Sequence, residues 1–522
     1  MDERVVRRAI PFRPAGQPCR RSLYLAASFA ALLGGAAGAA ESNSPDISWD
    51  NTLKLGTSDQ LHAASSNYCA GAPGQSENYG CGYAEGFTPI QIDWLSQLDI
   101  AYRDAGIHLS SAARYDVWKP QATYSSDRYI ELYEAFVHGT VDLGENQPLS
   151  FRIGRHTLIW GESQFFPENG IAAGQTPIDT TGVKGIDTYQ AHDIFLPVGQ
   201  TSFSWRVADD VAIEGYYQFE WRGDRIDPGD ASASAGTVFD TKQGEPITLQ
   251  TASGPHLYTR VDNDTPASHD QFGLAVKWRL GDYDLGVYGL DYDAKTPTVT
   301  FYGNGTYGLA DATGIALVGL SVAGPLADGT FGTELSARRD MPLVNGGLFV
   351  RGHAGYSEAN AGGAGIGPRG DTLHLQISLN REIAPIRGFS DGADWTTEIA
   401  GNHLLRVTSD PTALVPGRTS TAAAVRTVLA SRFYQVLPRI DLSVPIGVSY
   451  NFLGLSQVLP DMNRGTGEAN IGIAATLDRR WTGTLSATRY FGRSKIPFLN
   501  ATGPGEALAD WNDVAMTIQY SF

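Results

Sequence analysis

Beyond residue 40 the chain repeats one pattern: apolar and polar residues alternate with a period of two over segments of about ten residues. From Val211 onward, Val211, Ile213, Gly215, Tyr217, Phe219 and Trp221 fall on one face, and Ala212, Glu214, Tyr216, Gln218, Glu220 and Arg222 on the other. Phe272, Leu274, Val276, Trp278 and Leu280 alternate with Gly273, Ala275, Lys277 and Arg279 in the same way, and Val514, Met516, Ile518, Tyr520 and Phe522 close the chain on a third such run. A period of two is strand geometry. Half-buried strands of a soluble sandwich also alternate, so length and ends decide. Segments of about ten residues suit a tilted spanning strand. Aromatic residues gather at the segment ends. The last strand stops on Phe522, with Tyr520 two residues before, which resembles the signal read by the barrel-assembly machinery of the outer membrane. In lipid only a closed sheet satisfies every backbone group of its strands. The expected fold is therefore an all-β, transmembrane, antiparallel up-and-down β-barrel facing outer-membrane lipid.

Composition agrees. Mean hydropathy is −0.19, too polar for a bundle of membrane helices, and no run of 18 apolar residues occurs beyond residue 40. A net charge of −17 with only 18% charged residues does not suit a nucleic-acid binder, which needs clustered Lys and Arg. Residues 1–40 differ from the rest. Arg4, Arg7, Arg8, Arg13, Arg20 and Arg21 precede the apolar, small-residue run Ser22 to Ala40, and Gly38-Ala39-Ala40 or Ala37-Gly38-Ala39 offers a cleavage site. This is the three-part pattern of a secretory signal; a single membrane anchor is the alternative. The expected product is residues 41–522, one barrel in the outer membrane of a Gram-negative cell. Cys69 and Cys81 lie close together in a Gly/Ser/Asn-rich stretch, and in an exported protein such a pair is expected to form a disulfide.

About eighteen candidate strands begin near Ile47, Ile92, Ile107, Tyr129, Ser150, Ser202, Val211, Gln271, Tyr283, Ala312, Phe331, Thr372, Trp395, Arg426, Asp441, Gly467, Trp481 and Trp511. The first strand and the stretch 340–371 carry the weakest signals; without them the count is sixteen. Short turns fall at Asp104-Ala105, Gly144 to Pro148, Asp209-Asp210, Gly281-Asp282, Pro325 to Gly329, around Pro385, Pro438-Arg439 and Asp478 to Arg480. Long connections fall between them, among them 56–91, 161–201, 223–270, 293–311, 340–371 and 492–510. Short and long alternate, which puts both ends of the barrel domain in the periplasm and makes the strand number even.

Several runs resemble a proteobacterial family, the domain of unknown function numbered 1302. They are Phe151 to Ser163 (FRIGRHTLIWGES), Leu196-Pro197-Val198, Glu214 to Trp221, Glu334 to Arg338 with Pro342, Tyr434 to Pro438 with Asp441 to Pro445, and Tyr520 to Phe522. The resemblance covers nearly all of the chain after the signal. One departure is Asp510-Trp511-Asn512-Asp513, where the family pattern implies a basic residue between two acids. The resemblance implies an exported barrel, with some members linked to hydrophobic or aromatic compounds, and brings no catalytic or ligand-binding residues.

Two features point to a lumen site. The connection 161–201 holds Glu162, Asp187, His192 and Asp193, yet is low in charge for an outer loop. It is expected to fold inward and narrow the lumen; the alternative is a loop capping the mouth. Ionisable residues on strands must face the channel, because charge on the lipid side is costly. Arg152 and His156, Glu214, Glu220 and Arg222, and Glu334 and Arg338 are the lumen candidates. Opposed Arg and Glu rows can set a transverse field selecting small solutes; the alternative is that they stiffen the interior. His156, His192 and His353 lie in separate segments, Gly-x-Ser-x-Gly and His-Glu-x-x-His are absent, and no zinc, EF-hand or phosphate-loop spacing occurs, so neither enzyme, cofactor nor metal is expected. The expected function is a channel or transporter for passive passage of small, hydrophobic or amphipathic molecules. The alternatives are a structural or accessory barrel partnering an export or efflux complex, and an outer-membrane hydrolase. Partners expected are lipid, the assembly machinery, a small solute and, by analogy of fold, further copies of the chain.

Overall fold

The computed structural model describes residues 44–61, 86–87, 90–118, 128–179, 194–225, 243–251, 254–302, 305–344, 367–492 and 512–522. Residues 1–40, read above as a secretory signal, and Cys69, Cys81, Asp187, His192 and Asp193 lie outside the described residues.

The described residues form a closed transmembrane barrel of 18 antiparallel strands. Its first half consists of β1 (Asp46–Gln60), β3 (Ile90–Tyr102), β4 (Ala105–Trp118), β5 (Tyr129–Asp142), β6 (Pro148–His156), β7 (Val198–Ala208), β8 (Val211–Gln218), β11 (Gln271–Leu280) and β12 (Tyr283–Tyr292), with β2 (Gly86–Phe87) a short addition to β1. Its second half consists of β15 (Ile315–Leu326), β16 (Gly329–Pro342), β17 (Arg369–Ile383), β18 (Ala393–Ser409), β19 (Thr421–Leu437), β20 (Ile440–Leu453), β21 (Gly467–Leu477), β22 (Trp481–Phe491) and β23 (Asp513–Ser521). Each strand pairs with the next, and β23 returns to β1 in the register Leu53↔Tyr520. Phe522 and Asn51 exchange backbone hydrogen bonds of 3.0 and 2.9 Å, so the final residue is part of the closure. No edge is left for lipid to solvate.

Alternation sorts each strand into two faces. On β11, Phe272, Leu274 and Val276 are exposed, while Gln271, Gly273, Ala275 and Lys277 are buried. On β15, Val318 and Leu320 point out, and Leu317, Gly319 and Ser321 point in. The exposed apolar side chains form the lipid-facing band. Aromatic residues mark both of its margins. At the short-turn end Trp481 stacks on Tyr520 at 4.4 Å and Tyr520 on Phe522 at 5.2 Å, and Tyr283 meets Phe331 at 6.2 Å. At the long-loop end Tyr450 lies 5.9 Å from Phe491. Among the described residues no helix is long and apolar enough to cross a membrane.

The long connections are less plain than the sequence suggests. Within 223–270 and 293–311, read from the sequence as long connections, β9 (Pro246–Thr251), β10 (Gly254–Arg260), β13 (Thr298–Tyr302) and β14 (Thr306–Ala310) form a second sheet in the order β13-β14-β10-β9. Its central pair is parallel, joining two loops separated by β11 and β12. Such pairing between distant segments leaves no local periodicity to read.

Candidate functional site

The chain leaving β6 turns into the barrel rather than away from it. Residues 157–179 cross to the far wall and are held there by the inner faces of β16, β17 and β18. The anchors are mostly ionisable groups bound to loop backbone. Glu334 on β16 accepts the N–H of Glu162 (2.9 Å) and of Ile171 (3.1 Å). Glu398 on β18 accepts the N–H of Gln164 (3.2 Å) and of Phe165 (2.5 Å). Arg338, two turns of the pleat beyond Glu334, donates to the carbonyls of Glu168 (3.0 Å), Asn169 (2.8 Å) and Gly170 (2.8 Å). On β17, Gln376 donates to Ser163 Oγ (3.1 Å) and the Phe166 carbonyl (2.7 Å), and His374 Nδ1 lies 2.9 Å from Asn169 Oδ1. Backbone that leaves a sheet loses its ladder partners, and buried polar groups must find others. Here the far wall supplies them.

Space for the loop is built into the wall. Trp160 is 2% exposed and packs on Tyr216 and Tyr288, with ring centroids 5.2 and 5.7 Å away. A Cβ at Gly273 would stand 2.9 Å from the Trp160 ring, and one at Gly319 would stand 2.8 Å from Ile171 Cδ1. Gly161 turns the chain at φ +93°, and a Cβ there would meet Glu334 Oε2 at 2.1 Å. Only glycine allows this backbone to close on the carboxylate. Trp160, Ile171, Tyr216, Tyr288, Leu290, Tyr292, Ile315 and Leu317 belong to one apolar cluster. A second inward segment, 454–466, seats Val458, Leu459 and Met462 near Ala400, Ala422 and Ala424, and is tied by Ser456 Oγ to Asn402 Oδ1 (2.6 Å).

The tip of the first loop reaches β19. The Arg426 guanidinium of β19 lies 5.2 Å over the Phe165 ring and 3.5 Å from Glu468 of β21. Beside Glu398, this sets an aromatic edge, a cation and carboxylates at one level. Burial, opposed by nearby Lys277 and reinforced by Asp284, pushes the Glu162 carboxyl up to about 7. Burial, with repulsion from Asp461 and Asp224, pushes Glu168 up to about 8.

The sequence candidates are distributed as follows. Glu334 and Arg338 are buried anchors of the inward loop. Glu162 lies within that loop. Glu214 pairs with Lys277 at 2.9 Å on the inner wall. His156 is fully buried, with Nε2 2.8 Å from Ser202 Oγ. Its Nδ1 faces the Gly154 carbonyl at 3.1 Å, where a catalytic pair would need an orienting carboxylate. Arg152 shares the inner face of β6 with His156 and lies 5.7 Å over Phe136. Two candidates depart from the expected row. β8 ends at Gln218, so strand alternation no longer governs Glu220 and Arg222. Glu220 joins Arg155, on the opposite face of β6 from His156, and accepts the Gly199 N–H at 2.7 Å. Arg222 reaches Glu131 on β5 at 2.7 Å. The anchors that sequence reasoning missed are Glu398, His374 and Gln376. Their signal was available, since each sits on the polar side of an alternating strand.

A family described as "Protein of unknown function (DUF1302)" matches residues 20–522. No curated protein matches the chain. Similar solved structures include Pseudomonas aeruginosa OccK9 (OpdG), at 10% identity and TM-score 0.45, covering 91% of this chain and 98% of that one. Acinetobacter baumannii OccAB4 gives 7% identity and TM-score 0.44 over 92% and 99%. The outer membrane channel DcaP of Acinetobacter baumannii gives 8% identity and TM-score 0.39 over 92% and 99%.

Proposed function

This chain belongs to the DUF1302 family of proteins of unknown function, and from its closed barrel and lumen loop we propose that it is an outer-membrane channel for passive passage of small, amphipathic molecules. A ring of this many strands is wider than its own side chains fill. The observation that carries the reading is the one-sidedness of the filling. Among the described residues, hydrogen bonds of 157–179 to barrel strands include those to β5, β8, β16, β17 and β18, and Asp179 lies near enough to Arg114 on β4 to stabilise its charge. The opposite arc presents Lys54 on β1, Asp93, Gln97 and Asp99 on β3, and Gln519 on β23, all at least partly exposed. Lys54 stands in register between Asp93 and Gln519, and Arg114 pairs with Asp93 at 2.6 Å. A polar, charge-balanced wall opposite a packed loop leaves a path along the first and narrows it with the second. At the level of the loop tip a solute meets the stacked Phe165 ring and Arg426 guanidinium with Glu468 beside them, which suits a molecule with an apolar body and a polar group.

The test is single-channel conductance of the purified mature protein in planar bilayers, beside Glu398→Ala. Discrete steps that become larger or noisier in the variant are expected, since two loop N–H groups lose their acceptor. Silence in both proteins would overturn the channel and favour an accessory barrel.

A further inference from the structure

Among the described residues the β5–β6 contact is a seam of the lipid-facing wall where backbone pairing stops early. Between β5 and β6 the ladder runs from Asp142↔Pro148 to Ala135↔Arg155 and ends there, whereas β5 continues to Tyr129 paired with β4. Gly154, at φ +130°, bends β6 just below that point; a Cβ there would stand 2.2 Å from the Ala135 carbonyl. Along the unpaired stretch the outward side chains are apolar. Leu132 is exposed, and Ile130, at 86%, is the most exposed large apolar side chain among the described residues. Tyr115 and Val117 of β4 flank them, also exposed.

Side chains stitch the seam where the ladder does not. Arg155 Nη1 donates to the Leu132 carbonyl at 3.0 Å and its Nε to Glu220 at 3.0 Å, Glu220 holds the Gly199 N–H, and Thr157 N–H donates to Glu134 at 3.0 Å. Opening this stretch breaks one ion pair and a few side-chain hydrogen bonds, whereas a full ladder would lose backbone hydrogen bonds all along its length. Inside the seam lies a charged and aromatic surface. Glu131 pairs with Arg222 (2.7 Å) and Arg225 (3.0 Å), Arg225 with Asp179 (2.7 Å), and the Arg225 guanidinium lies 4.4 Å over the Tyr129 ring.

We propose that this seam is a lateral portal through which an amphipathic solute with one ionised head group moves between the barrel interior and the outer leaflet. The apolar part stays with Ile130, Leu132 and lipid. The head exchanges partners with the Glu131, Arg222 and Arg225 cluster as the Arg155–Glu220 bridge parts. The portal rests on the channel reading, and the test separates the two.

Arg155 touches both Leu132 and the Glu220 carboxylate, so cysteines at 132 and 220 lie within reach of a short bis-maleimide carrying a reducible spacer. In a Cys69→Ser, Cys81→Ser background, Leu132→Cys/Glu220→Cys is reconstituted into liposomes, with folding checked by heat-dependent gel mobility. Potassium chloride conductance and transfer of a pyrene-labelled alkyl carboxylate are then measured before crosslinking, after it, and after cleavage of the spacer. Crosslinking is expected to slow carboxylate transfer at least about fivefold with conductance unchanged, cleavage to restore it, and Arg155→Ala to speed it. Transfer that is unchanged, or that falls only in step with conductance, overturns the portal. Absence of conductance before crosslinking overturns the channel reading instead and leaves the transfer comparison readable.

Discussion

Glu334 binds two amides 172 and 163 residues away in sequence, and its neighbours are shaped to that single carboxylate. Gly161 and Gly170 bring backbone against it from two sides, where a Cβ would stand 2.1 and 2.6 Å from its oxygens. Glu334→Ala leaves the Glu162 and Ile171 N–H groups without acceptors, at about 1–3 kcal/mol each. Glu334→Gln keeps one acceptor and turns the other into a donor facing an N–H. Limited proteolysis of the folded barrel within 157–179 should therefore be fastest for Glu334→Ala, intermediate for Glu334→Gln and slowest for the parent. Equal rates in all three would remove Glu334 as an anchor. Its place on an inner face was legible from the alternation Glu334, Ser336, Arg338. Its partners were not, because five barrel strands, β7, β8, β11, β12 and β15, lie between that loop and β16, and no local spacing links the two.

The inward loop is one element whose docking depends on protons. Glu162 and Glu168 titrate at about 7 and about 8 in the docked loop, above the ordinary carboxylate value of 4.5. A released loop gives up these protons near the ordinary value, whereas the docked loop holds them to about pH 8. Docking is thus strongest in acid, weakens as pH rises from about 4.5, and stops changing above about 8. Conductance noise from loop release should rise across that window in the parent and much less in Glu162→Gln/Glu168→Gln; a parent trace independent of pH would contradict the docking. Low charge in 161–201 pointed inward, but a loop capping the mouth fitted the sequence equally well. The second inward segment was missed, although Val458, Leu459 and Met462 in a long-loop position were a usable signal.

For the whole molecule, what distinguishes a spanning barrel from a soluble one is the solvent on its outer face. Val318 points outward in mid-strand at 63% exposure, where an arginine would be harmless in water. In lipid, Val318→Arg should cost about 2–4 kcal/mol in reversible folding into bilayers. Gln97→Arg, on the polar inner arc, should fold normally and alter ion selectivity. Equal tolerance of both substitutions would be incompatible with the lipid-facing band.

Strand number, strand starts and the alternation of short and long connections follow from the sequence by itself, because pleat and turn chemistry act over a few neighbouring residues. The strand expected at Val211 begins there, and the one expected from Trp511 begins at Asp513. Even the weakly signalled first strand exists, held by β23 and β3 rather than by its own pattern. What only the tertiary structure decided is where the loops go. Closure sets β6 facing β16, β17 and β18 across the lumen, so Glu334, Glu398 and Arg338 become one cradle for a segment whose residues carry no mark of that destination. The same closure decides where a ladder stops short. Both are consequences of joining the two ends of a sheet, and no window along the chain contains both ends.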